Sequence, residues 1–72
     1  MSMCYHLREL RKERGLSQRA LAKLLHVSQS AYSRYERGRR NPAIETVYIL
    51  ARFYHVSVDY LAGITNDPQP YW

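Results

Sequence analysis

Apolar residues recur along this chain at helical spacing, in short runs separated by Gly, Ser and Pro. Leu7 and Leu10 share one face of a helix predicted over residues 4–14, with Gly15 placed to stop it. Ser17 is a good N-cap for a second helix over residues 18–25, whose buried stripe is Leu21, Ala22 and Leu25. His26-Val27 makes a tight turn, Ser28 caps a third helix over residues 29–37, and Gly38 ends it. Asn41-Pro42 opens a fourth helix running to residue 54, with Ile44, Val47, Leu50, Ala51 and Tyr54 inward. Ser57 caps a short fifth helix over residues 58–62, ended by Gly63. No run alternates apolar and polar residues long enough for a strand. The pattern predicts a compact all-α domain of five helices over residues 1–65. A tail, residues 66–72, holds two prolines and no periodicity, and should be extended or loosely ordered.

One local echo stands out. His26-Val27-Ser28 recurs as His55-Val56-Ser57. Each trio falls where a helix ends, the chain reverses, a Val plugs the core and a Ser starts the next helix. This is one turn solution used twice, not a duplicated unit.

Composition narrows the functions open to such a domain. The 72 residues make one domain. A chain of that size buries only about 60% of its unfolded surface, too little for a two-lobed enzyme with a deep cleft. Lys plus Arg is 11 against 6 Asp plus Glu, a formal charge of +5, and nine of the cations are Arg. Arg is the side chain best matched to phosphate and guanine geometry. A single Cys excludes an internal disulfide framework, and no secretory segment is evident, so a reducing, cytoplasmic setting is expected. No apolar stretch approaches the roughly 20 residues that cross a bilayer. A separate sensor domain is not expected at this length. Nucleic acid, an acidic protein and an anionic membrane surface are the natural partners of a small basic domain, and composition does not choose among them.

The stretch from 17 to 38, SQRALAKLLHVSQSAYSRYERG, is more specific. Two helices of about eight residues joined by a turn of about three match a helix-turn-helix. In that arrangement the first helix lies across a DNA backbone, its N-terminal amides and Gln18 near a phosphate. The second enters the major groove. Helical spacing puts Tyr32 and Tyr35 on one face and turns Gln29, Ser30, Ser33 and Arg34 elsewhere. The tyrosines can then close the core while the four polar residues meet DNA. Arg34, Arg37, Arg39 and Arg40 form the densest charge cluster, offset only by Glu36.

At these residues the chain resembles the Cro/C1-type (XRE-family) helix-turn-helix domains of lambdoid phage repressors and many bacterial regulators. The resemblance spans about residues 7–63. It rests on Gln18, Leu21-Ala22, Val27-Ser28, Ser33-Arg34, Tyr35-Glu36 and Gly38, then Asn41-Pro42, Ile44-Glu45-Thr46, Leu50-Ala51, Val56-Ser57 and Leu61. It implies that Gln29, Ser30, Ser33 and Arg34 meet base edges or adjacent phosphates. Gln18 would touch phosphate or brace the next helix's first Gln. Ser28 is foremost a cap, its hydroxyl also within reach of phosphate, and Arg37, Arg39, Arg40 and Asn41 would follow the backbone. Arg11 and Glu36 match an ion pair tying the first helix to the third. The chain departs from the family at His26, where Gly is usual and a left-handed backbone is needed. That conformation costs a residue with a Cβ roughly 1 kcal/mol. It departs again at Tyr32 and Tyr35, often aliphatic, whose hydroxyls need partners, phosphate oxygens among them.

Other chemistries fit poorly. Cys4, His6, His26 and His55 match no metal spacing, and no nucleophile elbow or third orienting group accompanies the Ser and His residues. Glu9 and Glu13 read as a solvated face. No cofactor and no catalysis are implied. Tyr48, Phe53, Tyr60, Ile64, Tyr71 and Trp72 are apolar groups the core does not need, and several are expected to form a homodimer contact. Two copies would set two recognition helices about one DNA turn, roughly 34 Å, apart on a near-palindromic site. The expected function is sequence-specific binding of double-stranded DNA by a transcriptional regulator, with repression the expected sense. A protein partner such as a toxin or an anti-regulator is the alternative occupant, and non-specific coating of nucleic acid the other rival.

Overall fold

A computed structural model describes residues 6–70. Its helices are α1 (Leu7–Glu13), α2 (Gln18–Leu25), α3 (Gln29–Glu36), α4 (Ile44–Tyr54) and α5 (Val58–Leu61), with no strand among the described residues. Ser17, Ser28 and Ser57 each accept a hydrogen bond from the backbone N–H three residues on, at 3.0 Å in all three cases. These caps satisfy amides that the first helical turn leaves unpaired.

All five helices end in the same way. One or two residues past the helix terminus the chain enters the left-handed region, at Gly15, His26, Gly38, His55 and Gly63. The N–H of that residue reaches back three residues and the next N–H reaches back five, as in His26 N to Lys23 O (3.2 Å) and Val27 N to Ala22 O (3.0 Å). This double bond pattern satisfies the last carbonyls and reverses the chain. Glycine does it without strain. His26 and His55 do it at φ 57°, where a Cβ crowds the backbone.

Leu7, Leu10, Leu21, Ala22, Leu25, Tyr32, Tyr35, Val47, Leu50, Ala51, Tyr54, Val56 and Leu61 form one buried cluster. Three expectations need correction. The fourth helix does not open at Asn41-Pro42: it begins at Ile44 behind an Ala43 cap that contributes no side-chain bond. Ile44 is 64% exposed instead of inward. At this end of the helix the buried apolar group is Pro42, and Ile44 sits in a first turn that projects into solvent. Tyr60 is not a spare surface ring. It stacks face to face on His6, with centroids 4.2 Å apart and planes 7° from parallel. The start of the first helix at Cys4, and Tyr71 and Trp72, lie outside the described residues.

The tail is extended but anchored. Pro68 O accepts from Ser57 N at 3.1 Å, and side-chain turns at Thr65 and Asp67 shape the approach.

Candidate nucleic-acid interface

Two short helices meeting at a three-residue turn present a face only if their apolar stripes stay together. Leu21, Ala22 and Leu25 of α2 and Tyr32 and Tyr35 of α3 are buried, and the two tyrosine rings meet edge to face at 6.3 Å. Burying those rings fixes the rotation of α3 about its axis. Gln29, Ser30 and Arg34 are consequently exposed, and Ser33 is half-buried. Arg37, Arg39, Arg40 and Asn41 continue the exposed surface past the end of α3. Ser28 is exposed too, with its hydroxyl engaged as the cap of Ala31 N.

The orientation of α3 is also locked from below. Arg11 Nε donates to Glu36 Oε2 at 2.6 Å, and Arg11 Nη2 donates to Oε1 at 3.2 Å. Arg11 Nη1 donates to Leu16 O at 2.9 Å. Gln18 Nε2 donates to the same Glu36 Oε1 at 3.1 Å, so this amide ties α2 to α3 instead of bracing Gln29. The Glu36 side chain is only 3% exposed. Burial pushes its carboxyl pKa up, but the bonds from Arg11 and Gln18, the nearby Tyr32 hydroxyl and the Arg11 charge outweigh that, leaving it below the ordinary value. The bond to Glu36 holds the Arg11 guanidinium above its own ordinary value, against the opposing effect of burial.

Two hydroxyls border this network. Tyr32 Oη and Tyr54 Oη are buried, and neither completes a hydrogen bond. Burial, with the Glu36 carboxylate beside it, pushes the Tyr32 phenol far up. Burial likewise pushes Tyr54 up to about 12. Tyr32 is therefore no phosphate contact, because the ring that orients α3 carries its hydroxyl into the core.

Sequence reading missed two features. Arg14 donates to the last carbonyls of α4, Phe53 O at 3.4 Å and Tyr54 O at 3.3 Å, while lying over both rings. A cation at a helix C-terminus is favoured there, but the partner helix is 40 residues away and no local pattern announces it. The other is a half-open cleft of about 260 Å³ lined by Arg8, Arg11, Gln18, Ser33, Glu36 and Arg37. Its only sequence trace is the spacing of Arg8 and Arg11 on one side of α1. No group of three or more metal-ligating side chains converges among the described residues, and no helix there is long and apolar enough to cross a membrane.

Known proteins share this arrangement. A helix-turn-helix family model matches residues 7–61. YobD of Bacillus subtilis, an HTH-type transcriptional regulator, is 43% identical over 93% of this chain. The cryptic phage CTXphi transcriptional repressor RstR of Vibrio cholerae is 42% identical over 88% of it. The chain spans 60% of YobD and 54% of RstR. A crystal structure of a transcriptional regulator from Listeria innocua superposes with a TM-score of 0.81 at 34% identity, covering 99% of this chain and 64% of that one. With the family model covering residues 7–61 and these relatives matching most of its length, this chain belongs to the Cro/C1-type helix-turn-helix family.

Proposed function

We propose that the protein binds double-stranded DNA sequence-specifically and regulates transcription in the cytoplasm, with repression as its direct effect through occlusion of a promoter. The observation that carries this reading is the outward polar face of α3. Gln29, Ser30 and Arg34 are exposed on a helix whose rings are buried beneath it, followed by three exposed arginines. Arg34 is the residue suited to a bidentate contact with guanine, and Gln29 to one with adenine. Arg37, Arg39, Arg40 and Asn41 supply phosphate contacts, together with the α2 N-terminus at Gln18 and the cap at Ser28. The name of the RstR relative, a transcriptional repressor, supports the sense of regulation.

The protein acts as a homodimer on a near-palindromic site. Supporting this, the outer side of α4 exposes Ile44, Tyr48, Ile49 and Phe53, and Ile64 is 67% exposed just beyond α5. Selection of bound sequences from a random duplex pool tests both statements. An enriched motif with two related half-sites about 10 base pairs apart is expected. Arg34→Ala should then lose about 1–3 kcal/mol on the selected duplex and relax one position of the motif. A pool that never enriches would remove sequence-specific reading.

A further inference from the structure

The cleft between α1 and the end of α3 has a floor and a rim with different chemistry. Glu36 forms the floor, and both of its oxygens are occupied, Oε2 by Arg11 Nε and Oε1 by Arg11 Nη2 and Gln18 Nε2. The charge of Arg11 is thereby neutralised, and one N–H of the Gln18 amide is engaged. Arg8, Ser33 and Arg37 remain at the rim. Arg8 and Arg37 are both exposed, and among the described residues neither guanidinium has a carboxylate within ion-pair distance. Ser33 and Arg37 are one helical turn apart, and Arg8 faces them from α1. Two unneutralised guanidiniums and a hydroxyl thus converge on an open cavity whose lining carries three cations against one anion.

We infer that this cleft seats one phosphodiester of bound duplex DNA, held by Arg8 of α1 and by Ser33 and Arg37 at the end of α3. A guanidinium presents a planar fork that fits two phosphate oxygens, and a serine hydroxyl adds a third donor. A duplex supplies the anion because the rim includes the same side of α3 that continues toward Arg34. The cleft therefore lies beside the backbone that borders a groove receiving α3. The inference rests on the duplex reading above and changes it in two ways. It makes α1 part of the interface. It also gives Ser33, for which the family resemblance allows a base edge or an adjacent phosphate, the phosphate role, which leaves Gln29, Ser30 and Arg34 to read sequence.

The test compares wild type, Arg8→Ala, Arg8→Lys, Ser33→Ala and Arg34→Ala on the selected duplex and on a random duplex across a salt series. Arg8→Ala should weaken both duplexes alike, about threefold, and reduce the slope of log affinity against log salt by about 0.9. Arg8→Lys should keep most of the slope, and Ser33→Ala should leave the base preference intact. Scanning the selected duplex with single methylphosphonates should find one position that weakens wild type and leaves Arg8→Ala indifferent. Thermal melting checks that the variants fold. If wild type binds with its normal preference while Arg8→Ala keeps wild-type affinity and slope, the cleft assignment is overturned and the duplex reading stands. Wild type binding no duplex at all would overturn both. A titration with inorganic phosphate at constant ionic strength, read from the Arg8 Nε resonance, separates the sources. Saturable binding there with no effect of Arg8→Ala on DNA would overturn the duplex assignment in favour of a free anion.

Discussion

The two His-Val-Ser turns are built alike and surrounded differently. In each, a histidine at φ 57° ends a helix, a valine N–H bonds back five residues (3.0 Å at Val27, 2.9 Å at Val56), and a serine caps the next helix. Around the first turn Ser28 is exposed and Val27 only half-buried, and α3 shows a polar face. Around the second turn Ser57 is 1% exposed, Val56 is buried and Pro68 closes over the cap. The same local device thus delivers one helix to solvent and another into the core. The helices are also held differently. α3 is latched by a charged network under Glu36, whereas Val47, Leu50, Ala51 and Tyr54 seat α4 by apolar packing. A local turn sets direction, and its surroundings decide whether the helix it launches shows a polar face to solvent or packs into the core.

The largest effect should come from breaking the latch. Arg11→Ala leaves Glu36 buried with an uncompensated charge, and urea unfolding should show a loss of about 3 kcal/mol. Acid probes the same network. The folded-state pKa of Glu36 lies below its ordinary value, so its stabilising contribution is full above about pH 4.5 and disappears as pH falls through the folded value. Unfolding measured from pH 7 down to pH 3 should show this loss, and Glu36→Gln should remove it.

The two caps come next. Ser57→Ala should cost about 2 kcal/mol and Ser28→Ala about 1 kcal/mol, because water can replace the lost bond only at the exposed turn. Equal losses would mean that the covering by Pro68 does nothing for the second turn. His26→Gly should add about 0.5–1 kcal/mol by relieving the left-handed strain, with duplex affinity unchanged. Tyr54→Phe should change stability by less than about 0.5 kcal/mol, since the hydroxyl it removes completes no hydrogen bond.

Much of this was legible beforehand where the cause is local. Ser17, Ser28 and Ser57 cap by a bond to an amide three residues on, so the caps and the helices behind them can be read from spacing. The stripes at Leu21, Ala22 and Leu25 and at Tyr32 and Tyr35 follow from helical period. The misplaced features are the non-local ones. Ile44 fits the inward stripe of α4 by spacing, yet helix packing does not extend to that first turn. Gln18 reads from its position as a helix-start residue, and nothing local shows that its amide also engages a carboxylate 18 residues on. Phosphate oxygens are among the partners that the sequence allows the Tyr32 hydroxyl, because nothing in it reveals what seals that group in the core.

Five helices, their three serine caps and the two His-Val-Ser turns could be read from the chain alone, because caps, left-handed reversals and apolar period act within a few residues; the start of α4 could not. Which polar groups are used up inside depends instead on packing between helices. Glu36 draws Arg11 and Gln18 to itself across three helices, and what it leaves over, Arg8 and Arg37 beside an open cleft, is set by packing between distant parts of the chain.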